Sequence, residues 1–483
     1  MNVKAISLNV GKALLVSAAF MLFSVIVSLI YGKDSSFAPL LLSFLITFVV
    51  GVFPLLFVRN SPSLSLHEGL VTIVLSWLLS FLLGMLPYVL WGGEFTVINA
   101  WFESVAGFTT TGSTILHNIE ALPHGLLFWR SSTQFIGGLG VVVFLLYVLP
   151  DTSTLRLRLT NLEMSSLSRD GYRFRSSQAV RVIMHVYVGM LFACAVSLAL
   201  AGMPVFDAVN HALTVCSTGG FSIKNASIGF YNSTAIDLIV MVFITLSAIH
   251  FGLIYTIFAT RSLKPFRSPV VRYFLACILL GSIVVALSLK FSGGYDDWGK
   301  ALLDGSFVLV NYITTTGFAI ADNSAWPLLA CVMLMFAAFQ CGCSGSTSGG
   351  LKADRMLLNF RALRQQIRHS ANPSEVTRIT LGRQVVQDEV AMGTLAYMAL
   401  YTLIIVLSSL LLLALGVDGQ TALSGSVSSV GNVGPGLGEI GTAGHYGDLS
   451  GGVKFIFTMD MMLGRLEILP VLAVIGFLFK RKR

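Results

Sequence analysis

Long apolar runs dominate the chain, and their lengths are those of bilayer-crossing helices. About 20 apolar residues at 1.5 Å rise cover a hydrocarbon core of about 30 Å. Runs of that kind lie near 10–31, 37–58, 68–91, 126–150, 182–202, 234–260, 271–291, 326–365, 388–416 and 452–480, which predicts about ten spanning helices. Between several of them sit shorter apolar stretches near 96–109, 204–216, 301–314 and 420–430. These are too short to span and read as re-entrant segments. The run at 13–31 is long enough to span and carries no cleavage signature, so it reads as a retained helix.

Polar positions agree with lipid as the main solvent. Hydrophobic residues make up 55% of the sequence and charged residues only 11%, where a soluble domain carries about 25% charged. The formal charge of +8 does not point to nucleic acid, because its Lys and Arg cluster in loops between apolar runs. Arg156, Arg158, Arg169, Arg173, Arg175 and Arg181 share one such loop, a second holds Arg261, Lys264, Arg267 and Arg272, and a third runs from Lys352 to Arg383. With ten spans these loops and both termini fall on one side, which the positive-inside rule makes cytoplasmic. On that side 151–181 reads as a surface helix or loop, and 356–383 as a helix and linker interrupted at Pro373. Cys194, Cys216, Cys277, Cys331, Cys341 and Cys343 show no paired spacing, so neither a disulfide framework nor a zinc site is indicated.

Four loops recur at similar spacing: Thr109-Thr110-Thr111-Gly112-Ser113, Cys216-Ser217-Thr218-Gly219-Gly220-Phe221, Thr314-Thr315-Thr316-Gly317-Phe318 and Gly431-Asn432-Val433-Gly434-Pro435-Gly436. Aligned on Gly112, Gly219, Gly317 and Gly434, each follows a short apolar stretch and is flanked by two spans. The unit is helix, re-entrant loop, helix. Two crossings per unit make the repeats parallel, so all four loops open on one face. The predicted fold is an all-α membrane protein, with an N-terminal helix pair (1–60) before repeats at 61–151, 182–260, 271–366 and 388–483 around one pseudo-fourfold pore. A cation that sheds its water needs replacement oxygens, and K⁺ filters supply them as rings of backbone carbonyls. Glycine reaches the positive-φ conformations that turn carbonyls toward an axis. The expected filter residues are Thr110, Thr111 and Gly112; Ser217, Thr218 and Gly219; Thr315, Thr316 and Gly317; and Asn432, Val433 and Gly434, with K⁺ at the backbone carbonyls. A single Thr-Gly pair would be a turn; four in one context are not explained that way.

At these residues the chain resembles the Trk/Ktr/HKT superfamily of K⁺ transporters, and most closely the TrkH/TrkG-type subunits of bacterial Trk potassium uptake systems, over nearly its whole length. Beside the four loops, the resemblance is carried by Gln134-Phe135-Ile136-Gly137-Gly138-Leu139-Gly140, by Gly342-Cys343-Ser344-Gly345-Ser346-Thr347-Ser348-Gly349-Gly350-Leu351-Lys352 and by Gly464-Arg465-Leu466-Glu467. One departure is Val433, aligned where the other three loops carry Thr, so the fourth loop is expected to offer fewer hydroxyl ligands. The resemblance implies K⁺ uptake across a bacterial inner membrane, a homodimer, and a cytoplasmic nucleotide-binding regulatory ring of the TrkA type. K⁺ is cargo, and no organic cofactor is expected in this chain.

The 342–350 stretch interrupts an apolar span with four glycines. It lacks the Gly-Lys-Ser/Thr order of a phosphate-binding loop. It reads either as a packed helix kink or as a flexible gate, and the resemblance implies the gate, formed by Gly342, Gly345, Ser346, Thr347, Gly349 and Gly350 beneath the filter. Arg465 lies in the last span, where charge is costly and marks function by default. It is either structural, paired with a buried carboxylate or with carbonyls, or, as the resemblance implies, a pore-lining member of the gate. Arg130 and Gln134 either brace the first filter loop or sit at the interface. Asp207 and Asp304 are expected to cap short helices, His211 and His250 to be packed, and no histidine cluster suggests a metal site. An ion-coupled symporter with alternating access, driven by H⁺ or Na⁺, is the alternative, and no nucleophile–base set suggests an enzyme.

Overall fold

The structure, a computed structural model, describes residues 2–58, 64–148, 176–374, 378–381 and 384–480. It is all-α apart from a two-residue antiparallel hairpin pairing Thr380–Leu381 with Gln384–Val385. The expected surface element at 151–181 lies largely outside the described residues.

Helices α1 (Val3–Ile30) and α2 (Phe37–Phe57) form the N-terminal pair. They meet where Gly11 and Gly51 face each other: a Cβ on Gly11 would lie 2.6 Å from the Gly51 carbonyl oxygen. Small residues at such a crossing let two backbones approach closely, as in lipid-embedded helix pairs. Phe53 and Phe57 on α2 are 61% and 71% exposed, an outward apolar face suited to lipid.

The first repeat comprises α3 (Leu66–Gly84) with its continuation α4 (Leu86–Trp91), the short α5 (Val97–Phe108) and α6 (His124–Val148). The second contains α7 (Ser176–Leu200), the short α8 (Val205–Cys216), and α9 (Thr234–Ser247) followed by α10 (Phe251–Thr260). The third contains α11 (Pro269–Phe291), the short α12 (Trp298–Ile313), α13 (Leu328–Gln340) and α14 (Ala353–Ala371). The fourth contains α15 (Asp388–Ala414), the short α16 (Gly419–Gly431), α17 (Gly451–Arg465) and α18 (Ile468–Lys480).

Among the described residues, six helices are long and apolar enough to cross a membrane, and the bent pair α9–α10 adds a seventh. The closing helices of three repeats are interrupted, where the sequence pattern predicts one interruption. α9 and α10 meet at 101° across Ala248-Ile249-His250, with the His250 side chain accepting from the Gly252 N–H. α13 and α14 are separated by residues 341–352, in which Cys341, Gly345, Gly350 and Lys352 all have positive φ. α17 and α18 are separated at Leu466-Glu467, where Glu467 has φ of 58°. α14 ends at Ala371, just before Pro373, where the sequence predicts an interruption.

The short helices α5, α8, α12 and α16 are 12 to 16 residues long, too short to cross. Their N-terminal caps differ from expectation. Asp207 sits in the first turn of α8, but Asp304 lies a turn too deep in α12, whose N-terminus is capped by Asp297 accepting from the Lys300 N–H. Thr96 and Asp418 cap α5 and α16 in the same way. Each short helix ends at one of the four glycine-containing loops, so four C-terminal dipole ends face the same region.

Candidate functional site

Each loop leaves its short helix through a left-handed residue: Thr110, Thr218, Thr315 and Asn432 have φ between 51° and 58°. Two residues later comes a glycine with strongly positive φ: Gly112 (82°), Gly220 (79°), Gly317 (84°) and Gly434 (106°). This corrects the alignment read from sequence. The second member is Gly220, and Gly219 corresponds to Thr111, Thr316 and Val433. Ser217 accordingly belongs with Thr109 and Thr314 at a helix C-cap, its hydroxyl donating back to the Leu213 carbonyl at 2.9 Å. Two loops, not three, carry Thr at the Val433 position. Gly219 and Gly220 are both glycines, so only the backbone conformation distinguishes them.

The four glycines form a closed ring. A Cβ on Gly112 would overlap the Gly219 carbonyl oxygen, one on Gly220 that of Thr316, one on Gly317 that of Val433, and one on Gly434 that of Thr111. Each repeat's glycine therefore abuts the carbonyl of the next, and the fourth returns to the first. Hydrogen bonds cross the seams. Asn432 Nδ2 donates to Thr111 Oγ1 (3.0 Å) and Ser113 Oγ to the Gly434 carbonyl (3.0 Å), joining repeats one and four. Tyr312 OH donates to the Gly436 carbonyl (2.8 Å) between three and four, and the Gly229 N–H to the Ala319 carbonyl (3.1 Å) between two and three.

The seam between repeats one and two is held by Gln134 and Arg130. Gln134 Nε2 donates to the Gly219 carbonyl (2.6 Å) and its Oε1 accepts from the Phe221 N–H (3.0 Å). Gln134 thus braces the second loop, not the first. Arg130 is buried, pairs with the buried Glu103 at 2.7 Å, donates to the Ser222 carbonyl (3.1 Å) and lies over the Phe221 ring. A guanidinium is suited to this because its planar fork serves several acceptors at once. His211 is packed as expected, bridging the Asp207 carbonyl and Ser222 Oγ at 2.9 Å each.

On the helix-break side of the ring lies the segment Gly342–Gly350. Thr218 Oγ1 bonds Thr347 Oγ1 (3.2 Å), Thr315 Oγ1 lies 3.1 Å from Ser348 Oγ, and the Gly349 N–H donates to Thr315 Oγ1 (2.9 Å). The segment thus engages two of the four left-handed side chains. Of the other two, Thr110 Oγ1 and Asn432 Oδ1 are buried with no hydrogen-bond partner among the described residues. The segment is anchored on its far side to the break in repeat two: the Cys343 N–H donates to the Ala248 carbonyl (2.9 Å) and the Phe251 N–H to the Gly345 carbonyl (3.1 Å). Asp354 accepts from the Ser344 N–H and hydroxyl, and Lys352 Nζ donates to the Ser348 carbonyl.

Arg465 closes this arrangement from the fourth repeat. It is 5% exposed, donating from Nη1 to the Thr347 carbonyl (2.7 Å) and from Nη2 to the Gly137 carbonyl (2.9 Å). It also lines a cavity with Ser346, Gly349, Lys352 and Glu467. The guanidinium bonds carbonyls, which is one of the two sequence alternatives, and one of those carbonyls belongs to the segment. Glu467 pairs instead with Arg355 at 2.9 Å, and Arg355 lies over the Tyr397 ring. Arg355 and Glu467 lie 112 positions apart, and that separation hides the pairing from the sequence.

On the opposite face of the ring, the loops of repeats one and four bring together His117, His445, Asp448 and Glu94. This corrects the expectation that no histidine cluster forms. The Glu94 and then the Asp448 carboxylates, bonded to the two ring nitrogens, hold the His117 imidazole above its ordinary range.

Comparison with known proteins places this geometry in a family. Residues 40–478 match the family model TrkH, described as cation transport protein. The chain is 32% identical to "Trk system potassium uptake protein TrkH" of Salmonella typhimurium, with both chains covered completely. It is 36% identical to "Trk system potassium uptake protein TrkI" of Halomonas elongata, over 88% of this chain and 86% of that one. Among solved structures, the crystal structure of the potassium transporter TrkH from Vibrio parahaemolyticus superposes with a TM-score of 0.88, at 31% identity and 98% coverage of each chain. The chain is an all-α, multi-pass membrane protein and belongs to the TrkH family of cation transport proteins.

Proposed function

We propose that this chain takes up K⁺ across a bacterial inner membrane by channel-like permeation through the ring of four loops. The observation that carries this reading is the closure of the ring, in which each positive-φ glycine abuts the carbonyl of the next repeat. A cation entering from the loop face exchanges its water for backbone carbonyl oxygens supplied by Thr110–Gly112, Thr218–Gly220, Thr315–Gly317 and Asn432–Gly434. The unpartnered Thr110 Oγ1 and Asn432 Oδ1 offer further oxygens, since buried polar atoms rarely go unused. The C-terminal ends of the four short helices favour a cation in the cavity.

Gly342–Gly350 is the barrier below. Passage requires its bonds to Thr218 and Thr315 to break, and Arg465 holds it in place through the Thr347 carbonyl. The guanidinium also repels a cation approaching in a site where water is scarce. The basic loops and termini face the cytoplasm. The chain acts as a homodimer whose cytoplasmic face docks a TrkA-type ring, and nucleotide bound there controls the barrier. The relatives' membership of Trk potassium uptake systems supports this assignment.

The test is ion flux into liposomes holding the purified chain, with K⁺, Rb⁺, Na⁺ and Li⁺ compared. Uptake of K⁺ and Rb⁺ down their own gradients, well above Na⁺ and Li⁺, is expected. Uptake that requires an imposed H⁺ or Na⁺ gradient would replace permeation with coupled symport.

A further inference from the structure

We propose that the loop face carries a binding site for a divalent transition-metal ion of the Zn²⁺ class, built by His117 from repeat one and His445 and Asp448 from repeat four. One donor atom from each lies within 4.8 Å of the others, although they come from opposite ends of the chain. His117 Nε2 is 3.1 Å from Asp448 Oδ1, and His445 Nδ1 is 3.8 Å from Asp448 Oδ2. The two imidazole rings are 4.2 Å apart. Donor atoms of a tetrahedral site with metal bonds of about 2.0–2.2 Å stand about 3.3–3.6 Å apart, between the 3.1 Å separation and the 4.8 Å limit found here, so side-chain movements of about 1 Å assemble it.

The hydrogen bonds around the cluster set the donor atoms. Glu94 Oε2 faces His117 Nδ1 at 2.9 Å, and the His117 N–H reaches it at 3.2 Å. A ligating histidine characteristically donates its other ring N–H to a carboxylate, which fixes the ring and raises its basicity. Glu94 fills that role and leaves Nε2 for the ion. At His445 the Gly447 N–H donates to Nδ1 at 3.3 Å, which marks that nitrogen as the unprotonated one; an ion would take its lone pair in place of this long hydrogen bond. Asp448 is largely exposed, so a water completes the coordination. Two imidazoles and one carboxylate select Zn²⁺ and its neighbours over Mg²⁺ or Ca²⁺, which prefer all-oxygen shells.

The site bridges backbone that abuts the ring. The Tyr446 N–H donates to the Thr114 carbonyl at 2.8 Å, and Tyr446 OH donates to the Gly434 carbonyl at 3.0 Å. A bound ion would therefore join the first and fourth loops directly beside the ring.

The test is calorimetric titration of the full-length, tag-free protein in detergent with ZnCl₂, with MgCl₂ in parallel. One Zn²⁺ per chain is expected. His117→Ala and His445→Ala should each weaken it by at least about tenfold, and Glu94→Ala by about 10–100-fold through loss of ring orientation. His185→Ala and His369→Ala, which lie elsewhere, should leave binding unchanged. Absence of saturable Zn²⁺ binding, equal binding by the His117→Ala/His445→Ala double variant, or full displacement by equimolar Mg²⁺ would each overturn the site and leave only an ion-paired loop contact. Thermal unfolding of each variant without metal checks that it is folded.

Discussion

Replacing Gly220 or Gly219 by alanine separates two adjacent glycines that sequence alone cannot tell apart. Gly220 has φ of 79°, and an alanine there incurs strain of about 1–3 kcal/mol. Its Cβ would overlap the Thr316 carbonyl oxygen and lie 2.9 Å from that carbonyl carbon. Ordinary carbon–carbon contact is about 3.5–4.0 Å, and the overlap with the oxygen is closer still, so the third loop must retreat by about 1 Å or more. Gly219 is different: its φ is not left-handed, and its Cβ would meet the Gln134 side chain rather than backbone. If the ring selects the ion, Gly220→Ala should reduce K⁺-over-Na⁺ discrimination by about tenfold for each 1.4 kcal/mol transmitted to ion binding. Gly219→Ala should do less, because Gln134 can give way, though at some loss of its brace. The assay is parallel K⁺ and Na⁺ flux in liposomes, restricted to variants that run as monodisperse peaks in detergent. Retained discrimination in Gly220→Ala alongside loss in Gly219→Ala would refute the register and the ring that follows from it.

Deleting Gly345 through Gly349 should raise K⁺ flux while leaving ion preference nearly intact, and equal flux in a folded deletion variant would make the segment a kink. Arg465→Ala removes the donors to Thr347 and Gly137 and should also raise flux, with Lys restoring part of the barrier; wild-type or lower flux in a folded protein would count against it. Arg130→Ala leaves Glu103 buried and unpaired, which costs about 3–5 kcal/mol, so a clearly lower thermal midpoint in detergent is expected, with Arg130→Ala/Glu103→Gln partly restored; an unchanged midpoint would show that the pair is not structural.

The sequence by itself determined the architecture, because lipid imposes rules that can be read one residue at a time. A hydrocarbon core demands long apolar runs, and irregular backbone at depth is tolerated only where it is buried in protein or lines a cavity. The helix pair at 1–60 and the four recurring Gly loops follow from those rules, and so does the interruption at 342–350, where four glycines gather. Other features depend on partners far away in the chain. The break at Ala248-Ile249-His250 has neither Gly nor Pro to announce it; it is held by the Cys343 N–H on the Ala248 carbonyl and by the Gly345 carbonyl on the Phe251 N–H. Gln134 braces the second loop because α6 packs between two repeats, a fact about assembly and not about its own repeat. Arg355 finds Glu467, and His117 finds His445 and Asp448, only once repeats related by more than a hundred positions close into a ring. Local propensity and lipid solvation act through near neighbours and leave a signature in the sequence. Ring closure and buried polar pairing act between segments whose proximity is set by the fold, and only the tertiary structure decided them.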